Sequence, residues 1–143
     1  MRRSPSLFRP ALLVLALALW LAGCSGNPGT AGGAIDVGQA LERQQAGAVL
    51  LDVRTPGEYR QGHAVGAHLI PWMDERGRLN PDFFAQVAQL ARPDQEVLVI
   101  CQTGNRSAQA ARALQQRGYG SAVNVFGGSI AWHNKGLPWE GTR

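Results

Sequence analysis

The hydrophobic positions along the chain change their period several times, and each change marks an element. After Asp36, a residue type that caps helices, Val37, Ala40 and Leu41 recur on one face, which predicts a helix through about Ala46 ended by Gly47. AVLLDV, residues 48–53, is an apolar run without alternation, the pattern of a strand buried on both faces. Pro56 opens a short turn or helix, PGEYRQ, and a second short strand is expected near residues 67–70. Asn80-Pro81 reads as the cap and start of a helix to Ala91, in which Phe83, Phe84, Val87, Ala88 and Leu90 keep helical spacing and form core.

EVLVIC, residues 96–101, is the most hydrophobic strand of the chain beyond its first segment, and Cys101 is its last residue. From Gly104 or Asn105 to Arg117 the small residues Ala108, Ala110, Ala111 and Ala113, with Leu114, make a face that lets a helix lie close to a sheet, and Gly118 supplies its stop. AVNVF is a further strand, Gly127-Gly128 a turn, and SIAWHNKG a last helix ended by Gly136 and Pro138. Strands alternating with helices predict a single α/β domain, with a mostly parallel central sheet and helices on both faces. There is no internal repeat.

The first residues follow another logic. Arg2, Arg3 and Arg9 precede an apolar run over residues 11–22, the core length of a signal peptide and too short for a spanning helix. Leu21-Ala22-Gly23-Cys24 resembles the lipobox of bacterial lipoproteins, which implies lipid on Cys24 and cleavage before it. The organisation expected is a signal peptide over residues 1–23, a Gly- and Ser-rich tether over 24–34 and a folded domain over 35–143. The protein would then be lipid-anchored in the bacterial envelope and face the periplasm. Ser25 after the lipidated cysteine favours the outer over the inner membrane.

Charge changes with that cleavage. The whole chain has 14 basic and 10 acidic residues; without the three leader arginines the balance is eleven to ten. A net charge near zero, with no basic face interleaved with aromatics, gives nucleic-acid binding no support. A monomer is expected. Cys24 and Cys101 are the two cysteines, and lipid on Cys24 would leave Cys101 a lone thiol in an oxidising compartment.

In a parallel α/β sheet the ligand crevice lies beyond the carboxyl ends of the strands, where the next helices present their N-termini. Cys101 closes a central strand and precedes a helix by a few residues, so its sulfur is expected at the crevice floor. A turn this tight can aim several backbone N–H groups inward beside the positive end of the helix, which favours thiolate over thiol. Gly104 permits the turn, Arg106 offers a planar cation suited to an oxyanion, and Ser107 a hydroxyl.

These residues, CQTGNRS, resemble the active-site loop of rhodanese-type sulfurtransferases, which commonly reads Cys-x-x-Gly-x-Arg-Ser/Thr. LLDVRTPGEYRQGHAVGAHLIP upstream and GYGSAVNVFGGSIAWHNKGLPW downstream are similar to the family's other two signatures, so the resemblance runs from about Ile35 to Trp139. It implies that Cys101 attacks the sulfane sulfur of a small anionic donor such as thiosulfate. Loop residues Gln102, Thr103, Gly104, Asn105, Arg106 and Ser107 would hold the donor, and a thiol or cyanide would accept the sulfur from a Cys101 persulfide. No metal or organic cofactor is required. Two alternatives stand beside it: a persulfide carrier with little turnover, and a cysteine-dependent phosphatase or arsenate reductase. The last uses Cys-x5-Arg, usually after a histidine, whereas Cys101 to Arg106 is Cys-x4-Arg after Ile100.

Other conspicuous residues have quieter readings. Asp52 and Arg54, at another strand end, could orient the loop, although a structural ion pair is the favoured role. His63, His68 and His133 lie on three separate segments and form no metal site. Glu58 and Tyr59 are assigned to the scaffold. Trp132 and Trp139 are assigned to core or pocket wall, with Trp72 as the tryptophan nearest the crevice.

Overall fold

The structure, a computed structural model, describes residues 33–141. The predicted signal peptide, Cys24 and all but the end of the tether lie outside the described residues. Within them, no helix is long and apolar enough to cross a membrane.

Five parallel strands form the central sheet: β1 (Ala34–Ile35), β2 (Val49–Asp52), β4 (His68–Leu69), β5 (Val97–Ile100) and β6 (Ala122–Val125), in the order β1-β6-β5-β2-β4. The two most apolar segments therefore pair at the centre, Leu51 beside Val99 and Asp52 beside Ile100. Burial on both faces explains their unbroken hydrophobicity. Leu50, Leu98 and Ile100 point to one face with Val123, Val125 and Trp132; Leu51, Val97 and Val99 point to the other with Phe83, Val87, Ala111 and Leu114.

Helices cover both faces, as the sequence predicts. On the first lie α1 (Val37–Gln45) and α5 (Gly128–Asn134); on the second α3 (Phe83–Leu90) and α4 (Asn105–Gln116). α1 begins with a reciprocal cap in which Asp36 accepts from the N–H of Gly38 and Gln39 while the Gln39 side chain accepts from Asp36 N–H. The short α2 (Pro56–Gln61) has the same device: Thr55 accepts from Glu58 N–H, and the Glu58 carboxylate accepts from Thr55 N–H at 2.9 Å.

Three local expectations are corrected. The strand foreseen over 67–70 shrinks to β4, and a separate antiparallel pair, β3 (Gly62–Ala64) with β7 (Trp139–Gly141), joins the α2 end to the C-terminal segment. Such a pair is made by chain segments far apart in sequence, so no local period announces it. α3 starts at Phe83 instead of Pro81, because Asn80 is used otherwise: its amide donates to Pro71 O and to Gln86, and its oxygen accepts from Asp82 N–H. Finally, β5 ends on Ile100, leaving Cys101 as the first residue of the loop.

Candidate active site

Residues 101–104 connect the central strand β5 to α4 within four residues, and the turn requires glycine at one position. Gly104 caps α4 with φ +107°, the left-handed region that side-chain-bearing residues avoid. α4 has no side-chain cap, so its first N–H groups remain available. They turn toward Cys101. Gly104 N–H donates to Sγ at 3.1 Å and the Ser107 hydroxyl at 3.2 Å, with further donation from the N–H of Thr103 and Ser107.

Two effects oppose each other at this sulfur. Burial disfavours the thiolate and pushes the Cys101 pKa up, but the hydroxyl of Ser107 and the three surrounding N–H groups stabilise the anion and outweigh it, leaving the pKa below that of an ordinary thiol. Among the described residues the thiol has no disulfide partner. Only 1 % of Cys101 is exposed. The ring of donors closes around the sulfur, and it lies beneath the loop.

A second loop packs on the first. Ser129 N–H donates to Cys101 O at 2.7 Å and Ile130 N–H to Gln102 O at 3.2 Å. Gly128 makes this approach possible: with φ +59°, any Cβ there would run into the carbonyls of Cys101 and Gln102. The turn between β6 and α5, read from sequence only as a paired-glycine turn, thus supports the cysteine loop. On its rim Phe126 and Ile130 are 68 % and 46 % exposed.

Beside the loop opens a cavity of about 250 Å³ bounded by Arg54, Glu58, Gln102, His133, Asn134 and Trp139, among others. Trp139 is the tryptophan that lines it. Trp72 is instead buried edge-on against Phe83 and Phe84, so its expected position at the crevice is corrected. Of the predicted loop residues, Gln102, Thr103 and Asn105 are exposed, Gly104 and Ser107 buried, and Arg106 intermediate.

Arg106 differs most from its expected role as an open cation. Its guanidinium grips Glu58 of α2 in a two-pronged pair, with Nη1–Oε2 2.8 Å and Nη2–Oε1 2.6 Å. Arg106 holds the Glu58 carboxyl down to a pKa of about 2, assisted by the Thr55 N–H and hydroxyl. Glu58 is the site residue that sequence reasoning assigned to the scaffold. The T-P-G-E spacing discloses its helix cap but not its second partner across the fold.

Asp52 and Arg54 form a buried pair at the end of β2, with Arg54 Nε and Nη2 both on the carboxylate, the shorter contact 2.7 Å. Arg54 also donates to Gly62 O at 2.8 Å and reaches Glu58 O at 3.5 Å. The pair therefore ties α2 and β3 to the sheet and only indirectly touches the cysteine loop. Among the described residues no three His, Cys, Asp or Glu side chains gather into a possible metal site.

A strand of a parallel sheet ending at a thiol, with helix-start amides turned onto its sulfur, defines an α/β domain of the cysteine-loop class. More specifically, the rhodanese-like domain model matches residues 36–135, and the chain belongs to that family. It is 41 % identical over 109 residues to thiosulfate sulfurtransferase 18 of Arabidopsis thaliana, covering 73 % of this chain and 80 % of that protein. It is 38 % identical over 90 residues to a sulfurtransferase of Allochromatium vinosum, covering 63 % and 76 %. Among solved structures, Rv0390 from M. tuberculosis superposes with a TM-score of 0.68 at 28 % identity, over 77 % of this chain and 98 % of that one.

Proposed function

We propose that the protein is a sulfurtransferase that moves sulfane sulfur from thiosulfate or a similar donor to a thiophilic acceptor through a persulfide on Cys101. The observation that carries this reading is the ring of donors on Sγ, which stabilises the nucleophilic thiolate relative to an ordinary thiol. The sulfurtransferase names of relatives near 40 % identity support it.

In the first half-reaction the Cys101 thiolate attacks the outer sulfur of thiosulfate. An S–S bond forms on Cys101, the S–S bond of the donor breaks, and sulfite leaves with the electron pair. In the second, cyanide or a thiolate attacks the terminal sulfur of the persulfide and regenerates the Cys101 thiolate. Loop residues 102–107 would hold the donor. The reaction needs no metal or organic cofactor, and the domain would act as a monomer.

Mass spectrometry after exposure to thiosulfate should show Cys101 gaining one sulfur atom, and added cyanide should release thiocyanate; both should vanish in Cys101→Ser. Absence of loading in the wild type by thiosulfate and by an organic persulfide alike would sink the reading. A second reading, delivery of the persulfide to a thiol-bearing protein with little free turnover, is favoured by the exposed Phe126 and Ile130 on the loop rim. Fast loading with slow release to small thiols would select it. Hydrolysis of an aryl phosphate through Cys101 would instead select the phosphatase alternative, which the Cys-x4-Arg loop disfavours.

The location proposed is the periplasmic side of the bacterial envelope, through lipid on Cys24, with the outer membrane favoured. Incorporation of labelled fatty acid that is lost in Cys24→Ser tests it.

A further inference from the structure

Glu58 and Arg106 stand 48 residues apart and meet beside the cysteine loop. Their pairing changes what the site can recognise. The guanidinium that lines the cavity, Arg54, is matched likewise by Asp52. Both guanidiniums are thus cancelled by a carboxylate in direct contact. The amides and the Ser107 hydroxyl stabilise a thiolate through their dipoles but bring no net charge. With the thiolate included, the reacting centre carries one uncompensated negative charge.

That balance discriminates between donors, because Coulomb repulsion grows in proportion to the charge of the approaching group. Thiosulfate carries two negative charges; the persulfide group of an organic persulfide carries at most one. The cavity points the same way. Its wall offers the carboxamides of Gln102 and Asn134 and the ring of Trp139, and its volume of about 250 Å³ leaves room for an organic group beside the loop.

We propose that Glu58 is a specificity-determining positioning residue: by holding the charge of Arg106 in a closed pair, it turns the site toward organic persulfides, R–S–SH, and away from dianionic thiosulfate. This rests on the sulfurtransferase reading. Cys101 thiolate attacks the outer sulfur of R–S–SH, a new S–S bond forms on Cys101, and the donor's S–S bond breaks. R–S⁻ leaves with the electron pair and the proton stays on the transferred sulfur. No oxidant or reductant is consumed.

The test compares loading of Cys101 in the full chain by thiosulfate and by cysteine persulfide, followed as the gain of one sulfur atom. Wild-type protein should prefer the persulfide. Glu58→Gln, which keeps the shape of the side chain, should raise the thiosulfate-to-persulfide ratio of kcat/KM on the order of tenfold. Adding Arg106→Gln to Glu58→Gln should return the ratio to near its wild-type value. Added salt should accelerate thiosulfate loading of the wild type, since it screens repulsion, and slow it in Glu58→Gln, where it screens attraction.

An unchanged ratio in Glu58→Gln, or a parallel loss with both donors, reduces the pair to a structural tie and overturns the proposal. So does wild-type thiosulfate loading slowed by salt, a measurement that needs no variant to fold. Failure of both donors to load the wild type defeats the sulfurtransferase reading itself, and this one with it.

Discussion

The hydroxyl of Ser107 donates to the sulfur of Cys101 at 3.2 Å, from the first turn of α4 back to the end of β5. Strand, loop and helix thereby close on one atom. The contact matters because burial alone would push this thiol toward its neutral form, and donors to the sulfur reverse that preference.

Ser107→Ala should therefore raise the pKa of Cys101. The rate of alkylation at neutral pH is expected to fall roughly three- to tenfold, with the rate profile displaced to higher pH, the loss of one hydrogen bond to an anion. Rates of iodoacetamide modification across pH measure this directly. A superimposable profile would show that the amides suffice without the hydroxyl.

The Glu58–Arg106 pair makes its own pH signature. Arg106 holds the Glu58 pKa at about 2, below the ordinary 4.5. A carboxyl whose folded pKa is depressed stabilises the fold above its unfolded pKa and loses that contribution as pH falls through the folded value. Wild-type melting temperature should accordingly decline between about pH 4.5 and about pH 2 more steeply than that of Glu58→Gln. Parallel curves would contradict the pairing.

Gly128→Ala puts a methyl group against the carbonyls of Cys101 and Gln102 at a φ of +59°. Both effects destabilise, and a loss of about 2–4 kcal/mol is expected, combining left-handed strain with a steric clash. Sulfur loading of Cys101 should fall as well, because the cysteine loop loses its support. Denaturant titration and the mass gain on Cys101 report the two separately.

Asp52→Asn leaves the Arg54 guanidinium buried without its counter-charge, 5 % exposed. Breaking a buried pair from one side costs about 3–5 kcal/mol. The matching change in the exposed Arg92–Asp94 pair, Asp94→Asn, should leave stability nearly unchanged, since solvent screens that pair. Equal effects from the two substitutions would place Asp52 outside the supporting framework.

Much of this was legible in the chain because the signals were local. The unbroken apolar runs of β2 and β5, Asp36 ahead of α1, Pro56 at α2, and the small face of α4 each follow from the period or cap chemistry of a few neighbouring residues. The loop from Cys101 to Ser107 was legible for the same reason: thiol, glycine and helix start lie within one turn of each other. Where one residue served a remote partner, the reading slipped. Asn80 looked like a helix cap but ties Pro71, and Glu58 looked like scaffold but binds Arg106.

By itself, then, the sequence determined the alternation of the main strands and helices, the single α/β domain, and the position of a thiol at a strand-to-helix turn, because hydrophobic period, capping and glycine placement act over short spans. Only the tertiary structure decided that Arg106 closes on Glu58, that Gly128 brings a second loop under Cys101, and that β3 meets β7. Those contacts depend on which side chains the folded sheet brings within a few ångströms, and no local pattern encodes that distance.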